Sequence, residues 1–211
     1  MSNLDGKMFN LLSLGDSYTI GEGLEQPQSW PYLLKRELAS QNLPFNDPKV
    51  VAQTGWTAAE LEIAVNKAAL AVSYDLVTLM VGVNDQYRGH QLEEYERPFR
   101  RLLSKAIQLA EAGPKRVIVL SIPDWGATPF GRDRNPAEIS QSINRFNLRT
   151  AMICREQFVK WVDITPQSRK LGRLSSMVVK DQLHPSEAQY SEWVSVILPA
   201  VLNQIQTRGK Q

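Results

Sequence analysis

Short apolar runs alternate with stretches of helical spacing along this whole sequence, and that alternation permits few architectures. Strand, helix and strand in succession close most readily as parallel β-α-β units, so an α/β domain with one parallel sheet between helices is expected. Leu11 to Leu14 is the first run, stopped by Gly15, and Trp30 to Ala39 has helical spacing with Ser29 placed to cap it. Lys49 to Ala52 is a second strand. Thr57 and Glu60 stand at capping-box spacing, so a helix begins just beyond Gly55. Asp75 to Val81 is a third strand, running into Gly82-Val83-Asn84-Asp85. The next helix is expected to open at about Pro98 and to stop near Ala112, before Gly113-Pro114. Arg116 to Ile122 and Phe158 to Ile164 read as the fourth and fifth strands, with a helix between them marked by Ile139, Ile143, Phe146 and Ile153. A last helix starts near Ser186, with Gln189 completing a second capping box, and passes through Trp193, Ile197 and Val201. Residues 206–211 are polar and expected to fray. The sequence has no linker or repeat, and residues 1–211 read as a single domain.

At 211 residues and 43% apolar composition, such a domain is long enough to bury about 70% of the surface its unfolded chain exposes. A net charge of +2 without a dense Lys/Arg run predicts neither a nucleic-acid partner nor an anionic membrane. The apolar stretch from Met8 to Leu14 is too short for a secretory signal and is broken by Asn10, and no run approaches the roughly 20 residues that span a bilayer. A cytoplasmic protein without stable membrane insertion is expected. Cys154 has no partner in the chain, and two histidines with one cysteine offer no metal-ligand cluster, so neither metal nor cofactor is implied.

Chemistry gathers at the strand ends. Ser17, Gly55 and Asn84 follow the first three strands, and in a parallel sheet they share the rim where α/β proteins bind ligands. Before the last helix stands Asp181-Gln182-Leu183-His184, whose spacing lets a carboxylate turn back onto the imidazole. A serine hydroxyl is a weak nucleophile until a base takes its proton, and histidine is the side chain suited to that near neutral pH. His184 is therefore the candidate base for Ser17, although a serine there would also serve as a helix cap. His90, in the polar stretch Tyr87-Arg88-Gly89-His90-Gln91, has no acid at suitable spacing and reads as a solvated loop residue. Asp16 and Asp85 are expected to hold turns through backbone amides, Asp85 around Asn84, and Asp163 is a rival to Asp181. Trp56, Tyr87, Trp125 and Phe130 lie in loops of the same rim as candidate substrate-lining residues, with Trp56 foremost because it adjoins Gly55.

Taken together, Gly15-Asp16-Ser17, Gly55, Gly82-Val83-Asn84-Asp85 and Asp181-x-x-His184 resemble, in order, the four sequence blocks of the SGNH hydrolases, also called GDSL esterases and lipases. The resemblance implies a three-layer α/β/α sandwich with a flavodoxin-like five-stranded parallel sheet in the order 2-1-3-4-5. It also implies a serine esterase acting on small acyl esters, with catalytic residues Ser17, His184 and Asp181. The backbone N–H groups of Ser17 and Gly55 and the Asn84 amide would form the oxyanion hole. Short-chain esters fit a compact domain; O-acetylated carbohydrates, lysophospholipids and thioesters are alternative substrates within the family. Tyr18 departs from the family's usual leucine and Gln53 from its frequent asparagine, which leaves the substrate open; the sequence sets no oligomeric state. A non-catalytic flavodoxin-like module binding phosphate or a nucleotide is the rival class. It lacks support from any Gly-x-Gly-x-x-Gly or P-loop pattern, and Glu22 would repel phosphate. The Gly-x-Ser-x-Gly elbow of α/β-hydrolases is missing as well, because Thr19 occupies its last position.

Overall fold

The computed structural model describes residues 8–70 and 73–206. Five strands form one sheet: β1 (Leu11–Gly15), β2 (Lys49–Ala52), β3 (Leu76–Met80), β4 (Val117–Leu120) and β5 (Lys160–Val162). All neighbouring pairs are parallel, in the order β2-β1-β3-β4-β5. β1, β3 and β4 are buried along their whole length, which is why their sequences read as unbroken apolar runs rather than as alternations. In register, Gly15 lies beside Ala52 on one side and Met80 on the other. The first three strands therefore end level, and the loops that follow them leave from one rim.

The helices are α1 (Ser17–Ile20), α2 (Trp30–Ser40), α3 (Ala58–Lys67), α4 (Val83–Tyr87), α5 (Leu92–Leu109), α6 (Pro136–Glu156), α7 (Thr165–Leu171) and α8 (Glu187–Gln206). α2 packs on α8, while α3 and α6 pack on α5. With this strand order, the right-handed crossovers that are the rule for parallel strands put these groups on opposite faces of the sheet, the three-layer α/β/α sandwich. Trp30, Leu34 and Leu38 of α2 and Trp193, Ile197 and Val201 of α8 are all fully buried. Among the described residues, no helix is long and apolar enough to cross a membrane.

At three places the local structure departs from the expectations above. α5 opens at Leu92 rather than Pro98, because Gln91 and Glu94 form a reciprocal capping box nearly two turns earlier. Pro98 sits inside the helix, forfeiting a bond to the Glu94 carbonyl while burying its ring, and α5 stops at Leu109 instead of Ala112. Ser29 occupies the N-cap position of α2, but its hydroxyl donates backwards to the Gln26 carbonyl at 2.8 Å. The second capping box is half formed: Ser186 accepts from the Gln189 N–H at 3.4 Å, while the Gln189 amide donates to the Met177 carbonyl at 2.6 Å. Of the expected frayed tail, Gln206 ends α8 and residues 207–211 lie outside the described residues.

Candidate active site

β1 delivers its last residue, Gly15, into a space with no room for a side chain: a Cβ there would lie 2.7 Å from the Met80 carbonyl oxygen. Asp16 then caps the single turn of α1, accepting the Tyr18 N–H at 3.1 Å, and Gly21 ends that turn at φ +84°. Ser17 is thus the first residue of α1, and its own N–H has no acceptor among the described residues. Its Oγ lies 2.9 Å from His184 Nε2. On the other side of the ring, His184 Nδ1 is 2.6 Å from Asp181 Oδ2. Gln182, at φ +61°, makes the bend, and the second Asp181 oxygen accepts the N–H groups of Leu183 (2.8 Å) and His184 (3.0 Å). Partial burial pushes the Asp181 carboxyl up, but the bonds from the His184 ring and these two amides outweigh it and hold the group below the usual carboxylate range. An ionised carboxylate only accepts, so Nδ1 must donate to it, and a neutral imidazole then presents Nε2 as acceptor to the Ser17 hydroxyl. Asp163, the sequence rival, lies elsewhere and accepts the Thr165 N–H at 3.1 Å at the start of α7.

Gly55 stands at φ +84°, where L side chains are strained, and its N–H has no acceptor among the described residues. The short helix α4 and the residue that caps its end, Arg88, hold this loop and the start of α3 at three points. Asn84 Nδ2 donates to the Trp56 carbonyl at 2.9 Å, Asp85 Oδ2 accepts the Ala58 N–H at 2.9 Å, and Arg88 Nη2 donates to the Gly55 carbonyl at 2.6 Å. Asp85 therefore anchors the start of α3 rather than a turn around Asn84. Its other oxygen lies 3.4 Å from His90 Nδ1, so His90 does have an acid partner, five residues back across the end of α4. Arg88 carried no signal in sequence beyond its spacing: four residues after Asn84 places both on one face of α4.

Ser17, His184, Gly55 and Asn84 border a cavity of about 210 Å³. Tyr87, Trp125, Phe130 and Leu183 supply its apolar lining, and Tyr87 is half exposed at its edge. The Trp125 ring is fixed by a 2.7 Å bond from Nε1 to Gln86 Oε1 and lies edge-on to Tyr87 with ring centroids 5.2 Å apart. Trp56 does not line the cavity. Its side chain packs half-buried against the core, because the loop turns at Gly55 and leaves only the Trp56 carbonyl facing Asn84. Tyr18, Thr54 and Val83 line it instead, and the Tyr18 ring lies 5.0 Å from the imidazole. Among the described residues, no group of three or more His, Cys, Asp and Glu could hold a metal ion.

Beneath the site, burial pushes the Asp16 carboxyl up to about 7 against the pull of the Tyr18 N–H, with the Asp85 charge adding to the rise. The assembled groups are a hydroxyl facing a ring nitrogen, a carboxylate on the far ring nitrogen, and unoccupied N–H donors beside the hydroxyl. This is a geometry suited to acyl transfer.

The model of the GDSL-like lipase/acylhydrolase family matches residues 13–191, and the chain belongs to this family. Among solved structures, TesA superposes with a TM-score of 0.73 at 20% identity, covering 92% of this chain and 99% of that one. The lipase/acylhydrolase from Enterococcus faecalis gives 0.69 at 22% identity, covering 93% and 97%. Axe2, an acetylxylan esterase from Geobacillus stearothermophilus, gives 0.67 at 20% identity, covering 93% and 94%. At these identities the likeness establishes the fold. No curated protein sequence matches this chain.

Proposed function

We propose that this protein is a serine esterase that hydrolyses short-chain acyl esters. The observation that carries the reading is the continuous chain from Asp181 through His184 to Ser17, with links of 2.6 and 2.9 Å. Ser17 Oγ attacks the ester carbonyl carbon as its proton passes to His184 Nε2; Asp181 holds the ring and stabilises the imidazolium. The carbonyl oxygen takes up the negative charge toward the N–H groups of Ser17 and Gly55 and the second amide hydrogen of Asn84. Collapse expels the alkoxide, which takes the proton from the imidazolium, and water then releases the acyl group by the same steps. A cavity of about 210 Å³ lies below the range typical of sites for drug-sized ligands, which favours a short acyl group. Removal of acetyl groups from carbohydrates is a second reading, favoured by the half-exposed Tyr87 ring beside Trp125 and by the likeness to an acetylxylan esterase.

Comparing kcat/KM for p-nitrophenyl esters from acetyl to dodecanoyl, beside acetylated sugars, tests both. The expected result is a maximum at the short end and loss of turnover in Ser17→Ala. A maximum at dodecanoyl contradicts the short-chain reading, and full turnover by Ser17→Ala contradicts the serine.

A further inference from the structure

Behind the wall that Trp125 and Phe130 present to the catalytic cleft lies a second, larger cavity of about 430 Å³. Its sides are the reverse of that wall, from Gly126 to Pro129, and the start of α6 at Pro136, Ala137 and Ser140. Arg132, Arg169 and Arg173 also border it, and no carboxylate does. Arg169 is already matched: Nε donates to the buried Asp124 Oδ2 at 2.8 Å, and Nη2 donates to Asn144 Oδ1 at 2.7 Å and the Ser140 carbonyl at 3.3 Å. Asp124 also takes the Ser140 hydroxyl at 2.5 Å and the Gly126 N–H at 3.0 Å, so this pair is internally satisfied. The side chains of Arg132 and Arg173 have no hydrogen-bond or ion-pair partner among the described residues. The nearest acids in sequence do not line the cavity: Asp133, beside Arg132, is exposed, and Glu138 on α6 accepts from Asn135 Nδ2 at 2.7 Å.

Two guanidiniums at one concave surface without a carboxylate on its lining, beside the positive end of a 21-residue helix, favour an anion there. Their planar forks match phosphate oxygens in a way that single ammonium groups do not. We propose that this cavity binds a phosphate-type anion. The site stands apart from the Ser17 chemistry but shares its wall with the cleft. That wall is close-packed: a Cβ at Gly131 would lie 2.7 Å from the Gly126 Cα, and one at Gly126 would lie 2.9 Å from Ile139 Cγ2. An anion drawing Arg132 and Arg173 inward therefore presses on a turn with little slack, and the cleft registers it.

Calorimetric titration with inorganic phosphate and with glycerol 3-phosphate tests the site in wild type, in Ser17→Ala and in Arg132→Gln/Arg173→Gln. Both arginines are exposed, so the double variant keeps the fold, as an unchanged Tm will verify. The expected result is saturable binding of equal strength in wild type and Ser17→Ala, weaker at high salt, and roughly tenfold or more weaker in the double variant. No saturable binding by wild type, or equal binding by the double variant, overturns the site. Binding in Ser17→Ala is independent of hydrolysis, so loss of the esterase reading alone would leave this result standing. Kinetics places the anion. The same ratio of turnover for O-acetylglycerol 3-phosphate and O-acetylglycerol in wild type and in the double variant, with KM shifted by added phosphate in wild type only, is expected of a site behind the wall. A preference for the phosphate ester that vanishes in the double variant puts the anion in the cleft and overturns a separate site.

Discussion

Asn84 has one amide for two tasks. One hydrogen is donated to the Trp56 carbonyl, which fixes the side chain and leaves the other for a developing oxyanion. Asn84→Ala is expected to lower kcat by about 10²–10³, the effect of losing one preorganised donor. Steady-state kinetics at saturating ester checks this, and a loss below tenfold with an unchanged Tm would remove Asn84 from the role. Asp16 belongs to the same scale. With its carboxyl at about 7 in the fold against 3.8 as the ordinary value, the folded state holds the proton more tightly than the unfolded one across that window. The stability this contributes is complete below about pH 4 and is lost as pH rises through 7, on the order of 4 kcal/mol in all. Urea denaturation from pH 4 to 8 should show this slope in wild type and a flatter one in Asp16→Asn; parallel slopes would contradict it. The Asp181 to His184 contact was readable from a local spacing, whereas Asp85 to His90 was not, because that contact depends on where α4 ends.

Among the elements, α4 has the most to do for its length. With its cap Arg88 it pins the loop that carries Gly55 and the start of α3 at three points, and Arg88 holds the Gly55 carbonyl directly. Arg88→Ala should lower kcat about tenfold or more while stability moves by less than about 1 kcal/mol, since its ion pair with Glu60 is exposed. Parallel measurement of kcat, KM and Tm decides it; a rate loss no larger than the stability loss explains would make Arg88 merely structural. The turn after β4 depends in the same way on Asp124, which is fully buried against Arg169, Ser140 and the Gly126 N–H. Asp124→Ala removes at once the acceptor of the Arg169 Nε, the Ser140 hydroxyl and the Gly126 N–H, and thermal or urea unfolding should show a loss of about 2–4 kcal/mol; a loss under about 1 kcal/mol would contradict it. Element identity was legible from periodicity and capping pairs, as with Thr57 and Glu60. Boundaries were less so: Pro98 looked like a helix start because proline favours first turns, yet the Gln91 and Glu94 box lay upstream.

Across the whole molecule, the five-stranded parallel order brings residues 17 and 184 together from nearly opposite ends of the chain. The alternation of elements pointed to the layers, and the four motifs to the strand order. The direction of single side chains was beyond them. Trp56, beside Gly55 in sequence, turns away from the cavity, while Tyr18 and Leu183 turn in. Labelling with a fluorophosphonate, followed by peptide mass spectrometry and with the rate compared in His184→Ala, bears most directly on the central claim that Ser17 and His184 share a proton. One label at Ser17, forming at least about 10³ times more slowly without the imidazole, is the predicted result. Label at another residue, or the same rate at Ser17 in both proteins, would contradict it.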